Sequence, residues 1–125
     1  MKILLSNKDI YNNTINLQQH FNEHSDLYLP VLVNFAIQKN FATLFKLSEI
    51  IEKIRNDVAK RYGEPNGDGS YFIAEDKREA ASKELDQLME AQQSVEISMI
   101  KIGDIKDLKM TSQQMASLLF MIEEE

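Results

Sequence analysis

The chain contains no cysteine. That excludes a disulfide framework, a thiolate metal site and a cysteine nucleophile. It also lacks any uncharged apolar run near the roughly 20 residues that a membrane span requires. The apolar stretch at the N-terminus is only Ile3-Leu4-Leu5 behind Lys2, too short for a secretory signal. Histidine is limited to His20 and His24. Basic residues are in the minority, 14 against 20 acids, for a net charge of −6. The imbalance is local: residues 1–62 sum to +2 and residues 63–125 to −8. An acidic chain gains nothing from counterion release on a phosphate backbone, so neither nucleic acid nor a membrane is an expected partner. The one short basic cluster, Lys53, Arg55, Lys60 and Arg61, is interleaved with Glu52 and Asp57 and reads as a solvated helix face.

What the sequence does have is ordinary globular composition: 43% hydrophobic and 27% charged over 125 residues. That is enough for one domain, residues 1–125, with one core. Lys2 to Ser6 reads as a strand, after which Ser6 or Asn7 caps a helix with Ile10, Ile15, Leu17 and Phe21 on its apolar side. Residues 23–26 form a polar break. Pro30 suits the first turn of a helix, no Gly or Pro follows until Gly63, and Gly63 sits where a left-handed C-cap would fall. The result is a helix of about 33 residues, near 50 Å at 1.5 Å per residue. Tyr71 to Ile73 reads as a brief strand and residues 76–92 as a helix. Period-two alternation from Val95 to Met99, continuing to Ile102, marks a strand that Gly103 ends. Thr111 and Gln114 form a capping box for a last helix with Met115, Leu118, Leu119 and Ile122 on one face. The expected fold is α+β: a long central helix with three shorter helices, packed on a small two- or three-stranded sheet in which the N-terminal strand pairs with 95–102 and 71–73 joins at an edge.

The long helix carries the most informative pattern. In its second half Leu47, Ile50, Ile51, Ile54 and Val58 share one face, opposite Glu49, Lys53 and Asn56. In its first half Leu32, Ile37 and Leu44 continue that face, while Val31, Phe35, Ala42 and Phe45 form a second apolar stripe on the other side. A helix apolar on both sides is covered on both sides. Either another element of this chain supplies the second cover or a second chain does, which makes Val31, Phe35, Ala42 and Phe45 the candidate interface.

Other patterns resemble sites. Residues 64–75 fit an EF-hand loop frame at Glu64, Asn66, Asp68, Gly69, Ser70 and Glu75, a calcium candidate. Against it, Glu replaces Asp at the first position, Pro65 stiffens the loop and no second hand exists; a Gly-rich turn with solvated acids is the competing reading. His20 and Glu23-His24 match an inverted zinc-protease pattern, but a catalytic site needs a third ligand and a pocket. No carboxylate lies in an apolar setting that would raise its pKa, and no phosphate loop or serine-nucleophile motif is present, so neither an enzyme nor a cofactor is expected. Met89, Met99, Met110, Met115 and Met121 fall at core spacing.

The order of short motifs resembles a family of short proteins encoded by tailed phages and prophages of Gram-positive bacteria. The matching segments are Met1-Lys-Ile-Leu-Leu-Ser-Asn7, Leu29-Pro-Val, Ala36-Ile-Gln-Lys-Asn40, Lys60-Arg-Tyr-Gly-Glu64, Val95-Glu-Ile97 and the run from Ser117 to Glu124. The resemblance implies a phage product in the host bacterial cytoplasm, or on the virion, with no catalytic residues to transfer. The expected function is therefore non-catalytic protein–protein interaction, as an accessory factor in particle structure or assembly, with the chain itself (as a homo-oligomer) or another phage protein as partner. The alternative is an acidic inhibitor that fills a basic groove on a host protein with residues 63–125.

Overall fold

Strand β1 (Lys2–Ser6) runs straight into helix α1 (Asn7–Leu17), because Ser6 leaves the strand in extended geometry and its hydroxyl accepts the Asp9 N–H at 3.0 Å. The helix continues as a π-turn over Gln18–Glu23. The computed structural model describes residues 1–23 and 27–123, with Glu23 described by its backbone alone. The expected polar break therefore falls largely outside the described residues. Helix α2 (Val31–Tyr62) is the spine, followed by a hairpin of β2 (Gly63–Pro65) and β3 (Tyr71–Ile73). Helix α3 (Glu75–Glu90), β4 (Gln92–Glu96) and β5 (Ile100–Lys101) come next. Helix α4 (Ser112–Leu118) leads through a 3-10 turn into β6 (Ile122–Glu123). The class is α+β, as the pattern predicts.

The strands form three separate two-stranded sheets rather than one. β1 pairs antiparallel with β4, from Lys2 opposite Glu96 to Ser6 opposite Gln92. β3 pairs with β2, not with the N-terminal strand, and β5 pairs in parallel with β6. The expected strand over 95–102 is thus two short ones, with Ser98 between them held by Asn40. This residue of α2 is buried; its Nδ2 donates to the Ser98 carbonyl at 2.8 Å and its Oδ1 accepts the Ser98 N–H at 2.8 Å. The pairing with β1 reaches residue 1 at Ile97, whose N–H bonds to the Met1 carbonyl, and Ser98, the next residue, pairs with Asn40 instead.

Pro30 stands at the N-cap of α2 rather than inside its first turn, and Gly63 is extended (φ −115°) rather than left-handed. Glycine is needed at 63 for room: a Cβ there would sit 2.7 Å from the Ala59 carbonyl oxygen and 3.0 Å from that of Phe72. Positive φ occurs instead at Gly67 and Gly69, which turn the β2–β3 hairpin.

The core gathers Leu5, Ile10 and Leu17 with the inner line of α2, and Val95, Ile97, Ile105, Leu118 and Met121 with both. Asn7 is also buried and ties the start of α1 to the far end of α3, donating to the Leu88 carbonyl at 2.8 Å while its backbone N–H reaches the Ala91 carbonyl at 2.9 Å. The capping box of Thr111 and Gln114 forms as expected, with both reciprocal bonds present. Leu119 is a correction: the chain tightens into a 3-10 turn after Leu118, which carries Met121 inward and leaves Leu119 in water. The remaining core-spaced methionines, Met89, Met99, Met110 and Met115, pack half-buried around this cluster.

Candidate protein-docking face

Helix α2 buries a narrow line made by Val33, Ile37, Asn40, Leu44, Ser48, Ile51 and Val58. At 100° per residue, Val31, Phe35 and Ala42 lie nearly opposite that line, with Phe45 at the edge of the same sector. No described element of the chain covers Val31, Phe35 or Ala42, while Phe45 is partly covered by α1 and by the Phe41 ring. Val31 is 79% exposed, Phe35 65% and Phe45 44%, and Ala42 is exposed as well. Of the two possible covers for the second stripe, the chain's own described residues supply only a partial one, at Phe45.

Three residues expected on the core face are in water instead: Leu32 (77% exposed), Ile50 and Ile54. The apolar periodicity points about half a residue step away from the true inner line, because that line includes the polar Asn40 and Ser48. Ser48 is paired at 2.8 Å with Thr14 of α1, whose hydroxyl also donates to the Ile10 carbonyl. Leu32 and Ile50 consequently fall at the rim of the helix and enlarge the bare surface. Fully burying a Val, Leu or Phe side chain is worth about 1.5–3 kcal/mol, so covering Val31, Leu32, Phe35 and Phe45 would contribute on the order of 5 kcal/mol before the costs of association.

An open cavity lies on each flank of the stripe. One, of about 530 Å³, sits at the N-terminal end of α2 between Leu32, Val33, Ala36 and the facing Met99 and Ile100, with Lys101, Asp104 and Glu123 on its rim. The other, of about 230 Å³, lies between α1 and α2 beside Phe45, lined by Tyr11, Ile15, Gln18 and Ser48 and closed below by Glu49 and Glu52. Ile15, expected on the apolar side of α1, is 37% exposed, and the structure brings it and Tyr11 beside Phe45. Two rings stack along the same flank, Phe41 and Phe45, with centroids 5.6 Å apart.

The charge around this face differs from the rest of the molecule. Residues 10–22 and 27–48, which include most of α1 and the N-terminal half of α2, contain no acid and only two bases, Lys39 and Lys46. Both lysines are exposed on the side of α2 turned away from α1. The N-terminus of α2 carries no acid in its first turn and, among the described residues, no capping side chain. Below the stripe, Glu52 is already engaged by Arg55 at 3.2 Å, and Arg55 in turn lies 5.4 Å over the Tyr11 ring.

The other sequence-level candidates are not assembled into sites of this kind. In the loop of residues 64–75, the Asp68 carboxylate accepts both the N–H and the hydroxyl of Ser70, at 3.0 and 2.6 Å. Those bonds hold the carboxyl below the usual Asp value of 3.8 and turn it into the loop's own framework. Asn66 donates to the same Ser70 hydroxyl, Glu64 lies in β2, and Glu75 opens α3. Among the described residues no group of three or more His, Asp or Glu side chains is gathered around a point that could hold a metal ion. His20 lies in the π-turn; His24 is outside the described residues. No described helix is long and apolar enough to cross a membrane.

Comparison with known proteins adds no relative to this description: no family model, no curated protein and no solved structure matches the chain.

Proposed function

We propose that the protein is a non-catalytic binding protein that docks another macromolecule on the outer face of α2, and that it serves a tailed phage of Gram-positive bacteria as an accessory factor in particle structure or assembly. One observation carries the docking reading. Phe35 (65% exposed) and Phe45 (44% exposed), two large aromatic side chains a little under three helical turns apart, reach into water on a helix whose opposite side carries the buried line. Aromatic residues in such positions are the usual anchors of protein interfaces, and an exposed apolar patch of this extent on a small protein marks a binding surface. The phage assignment rests on the order of short motifs from Met1-Lys-Ile-Leu-Leu to the closing run at Glu124. The host bacterial cytoplasm and the virion are the corresponding locations.

The acidic-inhibitor alternative draws less support. Helix α3 gathers Glu75, Glu79, Asp86 and Glu90 on one side with only Lys83 among them, but that side carries no aromatic or large apolar anchor such as Phe35.

Affinity purification from infected cells tests the proposal. The wild-type chain is expected to retain a partner that the double variant Phe35→Asp, Phe45→Asp loses while keeping an unchanged circular dichroism spectrum. Retention of the same partner by that variant, with loss on charge reversal along α3, would move the site to the acidic half.

A further inference from the structure

Resting on the docking reading above, we infer that the occupant of the outer face of α2 is α2 of a second copy, packed antiparallel about a two-fold axis level with residue 40. The spacing of the stripe supports this first. Val31, Phe35, Gln38, Ala42 and Phe45 recur in steps of four, three, four and three, the repeat with which two helices of nearly parallel axes pack along each other. An antiparallel copy runs through the same steps in reverse. When Phe35 meets Phe45 of the second copy, Gln38 falls opposite Ala42, so each position of the stripe from 35 to 45 meets another across the axis. Ala42 leaves room for the longer Gln38, whose Nε2 already donates to Asn22 at 2.8 Å.

The flanks match as well. At 100° per residue Leu32, Lys39, Lys46 and Ile50 fall along one flank of the stripe, the one that carries the cavity of about 530 Å³ beside Leu32 and Ala36. The two-fold axis sets this flank against the same flank of the second copy. Leu32 then lies level with residue 48 across the axis, between Lys46 and Ile50. Ile50, apolar yet 53% exposed, comes to the mouth of the cavity, and Lys46 comes to the Asp104 and Glu123 carboxylates on its rim. Lys101 on the same rim leaves one negative charge in excess there. Each copy thus offers a recess with an acidic rim at one end of the contact and an apolar knob with a lysine at the other. Near the axis two Lys39 side chains face each other, and each also lies close to Glu96 of its own copy, whose carboxyl is held low first by the Met1 ammonium and further by Lys2 and Lys39. Glu49, Glu52 and Lys53 fall beyond the apolar centre, level with residues 31, 28 and 27 across the axis, and Glu52 is already engaged by Arg55.

The area sets the strength. Val31, Leu32, Phe35, Phe45 and Ile50, at roughly 100 Å² each, bring about 500 Å² per copy and about 1,000 Å² in all. Stable interfaces bury about 1,200–2,000 Å², so this dimer is a weak one, with dissociation expected between about 10 and 100 µM and a folded monomer in dilute solution. Light scattering on the full chain from about 5 µM to about 1 mM should show the molar mass rising from 14.4 kDa towards twice that value. Phe35→Asp should hold it at 14.4 kDa throughout. Lys46→Glu should weaken the dimer about tenfold, and adding Asp104→Lys to that variant should restore it. The chain has no cysteine, so introduced ones report the register. Gln38→Cys and Ala42→Cys, mixed in equal amounts under mild oxidation, should form a mixed disulfide at least about fivefold faster than either forms one with itself. All five positions are exposed, so the variants are expected to keep the wild-type circular dichroism spectrum.

A wild-type chain that stays monomeric at the highest concentration would overturn the second copy as occupant. The docking reading beneath it would then stand or fall separately, by whether Phe35→Asp, Phe45→Asp loses a partner from infected cells. A dimer that survives Phe35→Asp would place the contact elsewhere on the molecule and remove the inference. Self-linking of each cysteine variant as fast as the mixture would overturn the antiparallel register.

Discussion

Both sides of the first half of α2 are rich in apolar residues, yet the described residues cover only one. The inner side holds Val33, Ile37, Asn40 and Leu44, all essentially removed from water; the outer side holds Val31, Phe35, Ala42 and Phe45, all exposed. By composition the outer stripe is the more hydrophobic of the two, since it has two phenylalanines where the inner line has an asparagine. Apolar content therefore does not decide what a small fold covers. What decides it is whether a neighbouring element can reach the face while satisfying its own backbone. Asn40 meets that condition for the inner side by capturing the N–H and carbonyl of Ser98, which anchors the turn between β4 and β5 against the helix. Among the described residues no such double backbone capture occurs on the outer side. Gln38, the polar residue within the stripe, bonds to Asn34 of its own helix at 3.4 Å and to Asn22 of the π-turn at 2.8 Å, a contact that leaves Val31 and Phe35 bare.

The comparison breaks most directly if equal truncations on the two sides cost the same. Leu44→Ala removes a fully buried side chain from the centre of the core and is expected to lower stability by about 2–5 kcal/mol. Phe35→Ala removes a larger side chain and is expected to change stability by no more than about 0.5 kcal/mol, since the ring is mostly in water and alanine is the better helix former. Urea denaturation followed by circular dichroism measures both. A loss of more than about 2 kcal/mol for Phe35→Ala would mean that the stripe supports the fold and is not held ready for a partner. Asn40→Ala follows in size. It leaves two Ser98 backbone groups without their partner, and each unsatisfied group costs about 1–3 kcal/mol where it is buried. The expected loss is about 2–4 kcal/mol, with fast hydrogen exchange at the Ser98 amide as its local signature.

How much of this was legible in the sequence follows from the same residues. The ends of α2 were readable because Pro30 and Gly63 punctuate it, and the caps at Ser6 and Thr111 were readable because their chemistry is local. The orientation of α2 was not. Asn40, Ser48 and Thr14 are polar letters in buried positions, each satisfied by a partner 34 or more residues away, and apolar periodicity gives such residues to the surface. That displaced the inferred core face toward Leu32, Ile50 and Ile54. The extent of the strand after Gln92 was misread for a related reason. Alternation from Val95 onward is continuous, but the register with β1 brings Ile97 opposite residue 1, and the residue that then holds Ser98 belongs to a helix far upstream. Of the candidate site, the second stripe was visible as a pattern; that the described chain leaves it bare was not, because coverage is a property of the whole fold. Tyr11 and Ile15 became part of the face only once α1 packed beside Phe45.

The smallest expected effect sharpens the comparison at a third kind of position, a surface contact that neither builds the core nor awaits a partner. The Met1 ammonium bonds to the Glu96 carboxylate at 2.9 Å and to the Ile97 carbonyl at 2.9 Å, closing the end of the β1–β4 sheet in full view of solvent. The hydrogen bond and charge of that ammonium hold the Glu96 carboxyl below its ordinary value of 4.5. The folded state thus binds this proton less readily than the unfolded chain does. The contact's stabilisation is complete above the ordinary carboxylate range and is lost as pH falls through the lowered folded value. Glu96→Gln is expected to be slightly less stable than wild type at pH 7, with the gap closing at pH 3, when thermal melts of the two proteins are compared across that range. Exposed ion pairs contribute little, so the gap should be far smaller than the one Leu44→Ala opens. If it rivalled that loss instead, stability in this fold would lie in its sheet ends and not in the covered side of α2, and bareness of the outer stripe would no longer argue for a partner.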